Sequence, residues 1–181
     1  TLSSSSAASD VYKRQDIGCG YGAFLEFLSE RKYSRELHYY GYDVSDEVVK
    51  FCQKKYSKRA SFYTGSIPVF ESDFIIMSGT FNYFPSGDYN AWRRYFYNFL
   101  NLLWSKLKRA MIFNLQISDE EKITDGGIVY SSQKEIENGD WLLQSFKMDL
   151  LFDFSAEKIW EIAIKSLGIN IIDISNMSGS A

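Results

Sequence analysis

The sequence predicts an α/β fold: a doubly wound, mostly parallel sheet with helices on both faces and one inserted antiparallel hairpin. Three observations predict it. From Asp16 onward, short apolar runs alternate with stretches of helical period, the pattern of a parallel sheet whose crossovers are helices. A glycine cluster, Gly18-Cys19-Gly20-Tyr21-Gly22, stands directly before the first helical stretch. Asp43 closes the next apolar run about twenty residues later, where open α/β sheets carry a ligand-binding carboxylate.

Each element follows from local chemistry. Phe24, Leu25 and Leu28 recur at helical spacing after the glycines and predict a helix to about Lys32. Leu37 to Tyr42 reads as a strand ending at Asp43. Ser45 is a good N-cap, and Asp46 and Glu47 complement the dipole of a helix continued by Val48, Val49, Cys52 and Tyr56. Ala60 to Tyr63 is a short strand broken by Gly65 and Pro68. Asp73 to Ser78 is a buried strand ending at Gly79. Trp92, Tyr95, Phe96, Phe99, Leu100, Leu103 and Leu107 form one apolar helical face. Ala110 to Leu115 is another buried strand.

The pattern then changes. Thr124-Asp125-Gly126-Gly127 signals a turn. Ile128-Val129-Tyr130 and Trp141 to Phe152 read as extended segments joined by Asn138-Gly139-Asp140, an inserted hairpin over about residues 124–153. Ser155 caps a further helix through Ile159, Trp160, Ile162, Ala163 and Leu167, which Gly168 stops. Ile169 to Ile174 returns as a strand.

Residues 1–15 stand apart. Thr1 to Ser9 is Ser/Ala-rich without periodicity, and lacks the basic start and apolar core of a signal peptide. Asp10-Val11-Tyr12-Lys13-Arg14-Gln15 resembles the translated end of a transposon-derived sequencing adapter. Residues 1–15 are therefore expected to be a non-native or disordered leader, and 16–181 the functional domain. On that reading the first strand of the sheet is replaced by the leader, and the C-terminus is also cut short.

Bulk chemistry narrows the function. The 181 residues carry a net charge of −3, with no Lys/Arg block to track a phosphate backbone, so nucleic acid is not an expected partner. No apolar run reaches membrane-spanning length, so no membrane partner is expected. Cys19 and Cys52 lack zinc or disulfide spacing, which fits reduced thiols in a cytoplasmic protein and no metal. The single histidine, His38, reads as a residue at the start of a strand.

The glycine turn between a strand and a helix lets backbone approach a ligand without a Cβ in the way. Helix-start N–H groups face a polar ligand there. Asp43 can accept both hydroxyl hydrogens of a ribose. The glycines alone also satisfy the dinucleotide pattern, with Ala23 in the last place.

Asp16-Ile17-Gly18-Cys19-Gly20-Tyr21-Gly22 resembles the first motif of class I S-adenosylmethionine-dependent methyltransferases, and Gly41-Tyr42-Asp43-Val44-Ser45 resembles the second. The resemblance covers residues 16 to about 175 and implies a Rossmann-like fold. It implies that Asp16 and the backbone of Gly18, Cys19, Gly20 and Gly22 face the methionine part of S-adenosylmethionine. It also implies that Asp43 holds the ribose, that Val44 packs on the adenine, and that Ser66 and Ile67 lie near the adenine edge. The family often has an acidic residue at that third position, and this chain has Gly65-Ser66-Ile67. After the fourth strand, Gly79 is implied beside the cofactor. Asn82, Tyr83 and Phe84 are implied in the acceptor pocket. The Asn/Asp-Pro-Pro-Tyr/Phe motif of base-methylating enzymes is absent from this stretch.

The expected activity is methyl transfer to a small-molecule acceptor. The alternatives are an NAD(P)-binding oxidoreductase and a non-catalytic protein keeping the fold. Asp119, Glu120 and Tyr83 are the nearest candidates for a base, and none is assigned. Tyr130, Trp141 and Phe146 of the expected hairpin would form a lid over the acceptor. Oligomeric state is not legible.

Overall fold

The computed structural model describes residues 12–30 and 37–138. The expected segments Trp141–Phe152, Ser155–Leu167 and Ile169–Ile174 lie outside the described residues. Five parallel strands form the main sheet. They are β1 (Tyr12–Ile17), β2 (Leu37–Asp43), β3 (Ser61–Thr64), β4 (Ser72–Met77) and β5 (Leu107–Phe113). Their spatial order is β3-β2-β1-β4-β5, with all neighbours parallel. The chain winds outward from β1 to β3, returns to the other side of β1, and continues to β5. The C-terminal ends of β1 and β4 therefore flank the point of reversal, where open α/β sheets leave a crevice.

The helices are α1 (Ala23–Ser29), α2 (Asp46–Tyr56) and α3 (Tyr89–Trp104). Ser45 caps α2 by accepting the Val48 N–H, and Asp88 caps α3 by accepting the Ala91 N–H at 3.0 Å. The two faces of the sheet carry separate cores. Phe74 and Ile76 pack with Phe24, Leu28, Val49, Cys52 and Tyr56 of α1 and α2. Ile75 and Met77 pack with Phe81 and with Trp92, Phe96, Phe99 and Leu103 of α3. Successive residues of β4 thus enter opposite cores, which is why this strand is apolar without alternation. Trp92 and Phe96 stack at 5.0 Å, and the Trp92 indole N–H donates to the Phe81 carbonyl at 3.0 Å.

Three expectations are corrected. First, the boundary at residue 15 falls inside β1. Tyr12 to Gln15 pair with β2 from Leu37 to Tyr40, and Arg14 and Gln15 also pair with β4. Ladder hydrogen bonds come from the backbone, so polar side chains do not prevent a segment from filling a central strand. Gln15 is buried and satisfied: its amide nitrogen donates to the Phe70 carbonyl at 2.9 Å, and its oxygen accepts from Ser72 Oγ at 3.1 Å.

Second, Leu107 opens β5 and does not end α3. The helix stops at Trp104 with Ser105 as its C-cap, and Leu107 pairs with Ser72. Helical spacing fits Leu107 equally well, but the chain has to reverse before it joins β4.

Third, a hairpin forms one strand earlier than expected: among the described residues, Val129–Tyr130 (β7) pairs antiparallel with Lys122–Ile123 (β6) around the Thr124–Gly127 turn, and the expected pairing with Trp141–Phe152 lies outside the described residues. Residues Gln133–Asn138 form a helix, α4. Extended runs of similar polarity do not encode which run is the partner.

Candidate functional site

The glycine turn leaves the C-terminal end of β1 and is hooked to β2. The N–H groups of Gly18 and Cys19 both donate to the Tyr42 carbonyl, at 2.8 and 3.0 Å. Gly18, Gly20 and Gly22 all have positive φ, at 74°, 50° and 82°, a region that costs other residues about 1–2 kcal/mol. The three glycines serve different ends. A Cβ on Gly18 would lie 2.7 Å from Thr80 Oγ1, and one on Gly22 would lie 2.7 Å from the Tyr56 ring. A Cβ on Gly20 would meet nothing within 4 Å. Gly18 and Gly22 are therefore required by packing, whereas Gly20 faces open space.

Asp43 orders this space. One carboxylate oxygen accepts the Gly20 N–H at 3.0 Å, and the other accepts the Ser45 N–H at 2.9 Å. Each oxygen has two lone-pair directions, so one remains on each for a ligand hydroxyl. Beyond Asp43, Val44 is 78% exposed, and Ile67 on the neighbouring loop is 51% exposed. The Gly65 N–H ties that loop to β2 through the Asp43 carbonyl at 2.8 Å. Ser66 is half-buried beside Ile67. Two exposed apolar side chains and a carboxylate with free lone pairs suit a flat heterocycle joined to a sugar diol.

Asp16 is placed differently from the other acidic residue. Its carboxylate is 3% exposed and accepts the Tyr39 hydroxyl hydrogen in a short bond. Gly41 lies opposite Asp16 in the strand pairing, and a Cβ there would meet the Phe62 ring at 2.5 Å and Cys19 Sγ at 2.9 Å. Burial pushes the Asp16 carboxyl up to about 7; the Tyr39 hydrogen bond opposes this, and the Asp43 charge adds to it. Burial likewise raises the Cys19 thiol above its ordinary range. Cys19 is 7% exposed and belongs to the core beneath α1 and α2, its thiol donating to the Gly20 carbonyl at 3.6 Å. Cys52 reaches the same region from α2, its thiol donating to the Gly20 carbonyl at 3.3 Å.

The fourth strand contributes Gly79, with φ 75° and open space where a Cβ would be. Its N–H donates to Asn114 Oδ1 at 2.6 Å. Thr80 donates its hydroxyl hydrogen to the Ile17 carbonyl at 2.7 Å, which locks the β4 loop against the glycine turn. Asn82 is half-buried, Tyr83 is 59% exposed and Phe84 is half-buried. This loop docks on the hairpin: the Phe84 N–H donates to the Gly127 carbonyl at 2.7 Å, and the Val129 N–H donates to the Asn82 carbonyl at 3.1 Å.

Of the thirteen residues expected at the site, Asp16 stands within β1 and Asp43 is the last residue of β2, and the other eleven lie on the glycine turn or on the loops after β2, β3 and β4. Asp119 and Glu120 are exposed beyond β5, and Tyr130 is half-buried on β7. His38 lies near the N-terminal end of β2, with Asp43 at the other end of the strand. Trp141 and Phe146 lie outside the described residues. Tyr39, Thr80 and Asn114 were not anticipated. The only sequence signal for them was a polar group on, or just after, a buried strand. Among the described residues, no group of three or more His, Cys, Asp and Glu is placed to hold a metal, and no helix is long and apolar enough to cross a membrane.

The chain is similar to known methyltransferases. A family described as a methyltransferase domain matches residues 15–103. A protein of Mycobacterium tuberculosis that carries a provisional methyltransferase name is 31% identical over 122 residues, 65% of this chain and 72% of the relative. Among solved structures, the O-methyltransferase of a trans-AT polyketide synthase multienzyme from Brevibacillus brevis, in complex with S-adenosyl-L-homocysteine, matches with a TM-score of 0.54 at 11% identity. Coclaurine N-methyltransferase, bound to N-methylheliamine and S-adenosyl-L-homocysteine, matches at 0.51 and 11%. These matches cover 69% and 72% of this chain but only 43% and 44% of those proteins, so the chain spans less than half the length of either.

Proposed function

The chain belongs to the class I S-adenosylmethionine-dependent methyltransferase family, and from that premise we propose that it transfers a methyl group to a small-molecule acceptor. The observation that carries the reading is the cradle at Gly20. Its N–H is held by Asp43, its φ is 50°, and nothing fills the space where a Cβ would stand.

The roles follow from that cradle. The backbone of Gly18, Cys19, Gly20 and Gly22 encloses the amino-acid end of the cofactor. Asp16 supports that end from beneath the turn. The free lone pairs of Asp43 accept the ribose hydroxyls. Val44 and Ile67 cover the adenine faces, and Ser66 meets its polar edge. Gly79 leaves room at the reacting centre. Asn82, Tyr83 and Phe84 line the acceptor side.

When bound, S-adenosylmethionine supplies an electrophilic methyl on a sulfonium with a good leaving group. The protein's task is then to hold the acceptor atom in line and to exclude water, and orientation can supply most of the acceleration. The loop of residues 79–84 is pinned to the glycine turn through Thr80 and to the hairpin through Phe84. It is therefore a rigid wall for that alignment. No catalytic base is required for an acceptor that is already deprotonated.

Calorimetry with S-adenosylhomocysteine, and with NAD as competitor, tests the reading. S-adenosylhomocysteine should bind and NAD should not. Asp43→Ala should weaken S-adenosylhomocysteine binding by about 1–3 kcal/mol, the scale of hydrogen bonds to a charged group. Binding of NAD without any response to S-adenosylhomocysteine would overturn the assignment in favour of an oxidoreductase.

A further inference from the structure

We propose that Gln116 joins Asn82 on the acceptor side of the cleft, their two side-chain amide oxygens receiving O–H or N–H donors of the methyl acceptor. The proposal rests on the methyltransferase reading above and names the acceptor chemistry for the same site.

Asn82 Oδ1 and Gln116 Oε1 are both shielded from solvent, and neither has a hydrogen-bond partner. Buried amide oxygens are normally paired. Among the described residues, two other buried side-chain polar atoms share this condition, Arg14 Nε and Tyr42 Oη, but both belong to residues within strands of the sheet. Asn82 and Gln116 instead stand on the segments that leave the C-terminal ends of β4 and β5. These strands are adjacent and parallel, and their C-terminal ends face the ligand crevice of such sheets.

One short stretch of chain fixes both segments. The Val129 N–H donates to the Asn82 carbonyl at 3.1 Å, and the Ser131 N–H donates to the Gln116 carbonyl at 2.9 Å. Two residues along an extended chain separate these anchors by about 6.8 Å. The Ser118 N–H donates to the Ser131 carbonyl at 2.9 Å and extends the ladder. The backbones of Asn82 and Gln116 are thus held in register while their amide oxygens remain unused. This combination is expected of groups kept for a ligand, since site geometry depends on rigid support.

The chemistry limits the acceptor. An amide oxygen only accepts, so it recognises hydroxyl or amine donors and offers nothing to a carboxylate or a phosphate. Tyr83, the next residue in the chain, adds an exposed ring to this loop, while Phe84 stacks on Tyr95 of α3 at 6.1 Å. The acceptor class is a compact molecule with an apolar body and at least one O–H or N–H donor. Neither amide exchanges a proton near neutral pH, so both are specificity residues and neither is a base.

The test uses the whole chain and its Asn82→Leu and Gln116→Met variants. Side-chain amide signals of Asn82 and Gln116, assigned by their loss in the variants, are followed by NMR at saturating S-adenosylhomocysteine. Catechol is titrated as the donor-bearing probe and 1,2-dimethoxybenzene as its donorless twin. Catechol should shift both signals, with an apparent Kd tighter by about 10-fold or more, the factor that one well-made hydrogen bond supplies. Both variants should keep S-adenosylhomocysteine affinity within about 2-fold and should melt at or above the parent, because each removes an unpaired buried oxygen. Equal response to the two probes, or none, overturns the proposal. So does a variant that melts several degrees lower or loses S-adenosylhomocysteine affinity, since the amide would then serve the fold or the cofactor. Failure of the parent chain to bind S-adenosylhomocysteine would instead overturn the methyltransferase reading.

Discussion

Replacing Asp16 by Asn should change how stability depends on pH. Asp16 is buried beneath the glycine turn with Tyr39 as its donor, and burial raises its carboxyl from 3.8 to about 7. The difference of about 3 pH units corresponds to about 4 kcal/mol at 1.36 kcal/mol per unit. The sign follows from proton counting. Between pH 4 and 7 the folded chain holds a proton on Asp16 that the unfolded chain has released. Stability from this group is therefore full below about pH 4, falls as pH rises, and levels off above about 7. Asn keeps the shape and the acceptor for the Tyr39 hydroxyl but has no charge to desolvate. Urea unfolding at half-unit steps from pH 4.5 to 8.5, on the parent and on Asp16→Asn, gives the difference directly. The variant should gain little at pH 4.5 and a few kcal/mol by pH 8. A difference that stays flat across this range would refute the reasoning, because Asp16 would then be ionised in the fold throughout. Tyr39→Phe removes the hydrogen bond that favours the carboxylate, so it should move the transition to higher pH.

The glycine turn and the central strand give further expectations. Gly20→Ala should cost only about 1–2 kcal/mol of stability, the left-handed backbone cost, yet should sharply reduce S-adenosylhomocysteine binding by filling the cradle; unchanged binding in calorimetry would rule the cradle out. Gly18→Ala should lose more stability than Gly20→Ala in the same unfolding assay, because its Cβ would sit 2.7 Å from Thr80 Oγ1. Arg14 is 3% exposed with an unpaired Nε, and burial lowers its guanidinium to about 10. Arg14→Leu should therefore stabilise the sheet by about 1–3 kcal/mol, seen as a higher Tm; a lower Tm would mean that its stacking on Tyr12 and Phe74 outweighs the buried charge.

Much of the fold was legible because it depends on local chemistry. Ser45 followed by Asp46 and Glu47 marks a helix start whatever surrounds it, and α2 begins there. The run from Phe74 to Met77 reads as a doubly buried strand, and both cores receive it. Boundaries and partners were less legible. Leu107 satisfied a helical period and became the first residue of β5. Ile128 to Tyr130 read as extended, but their pairing with Lys122 and Ile123 depends on how the turn closes. The polar segment Tyr12 to Gln15 gave no sign of a central strand, because the contacts that hold it there come from its neighbours' backbones.

By itself the sequence determined the glycine turn, the acidic end of β2, the strand–helix order and hence the family. These are properties of spacing and residue type, which short segments carry without help. Tertiary structure alone decided which glycine faces open space and which is closed by Thr80 or Tyr56. It also decided that Asp43 spends one lone pair of each oxygen on the protein while Asp16 turns inward to Tyr39. The physical reason is that each of these facts concerns contact between residues far apart in the chain. The position of a Cβ, the depth of a carboxylate and the idleness of an amide oxygen exist only once β1, β2, β4 and β5 lie side by side.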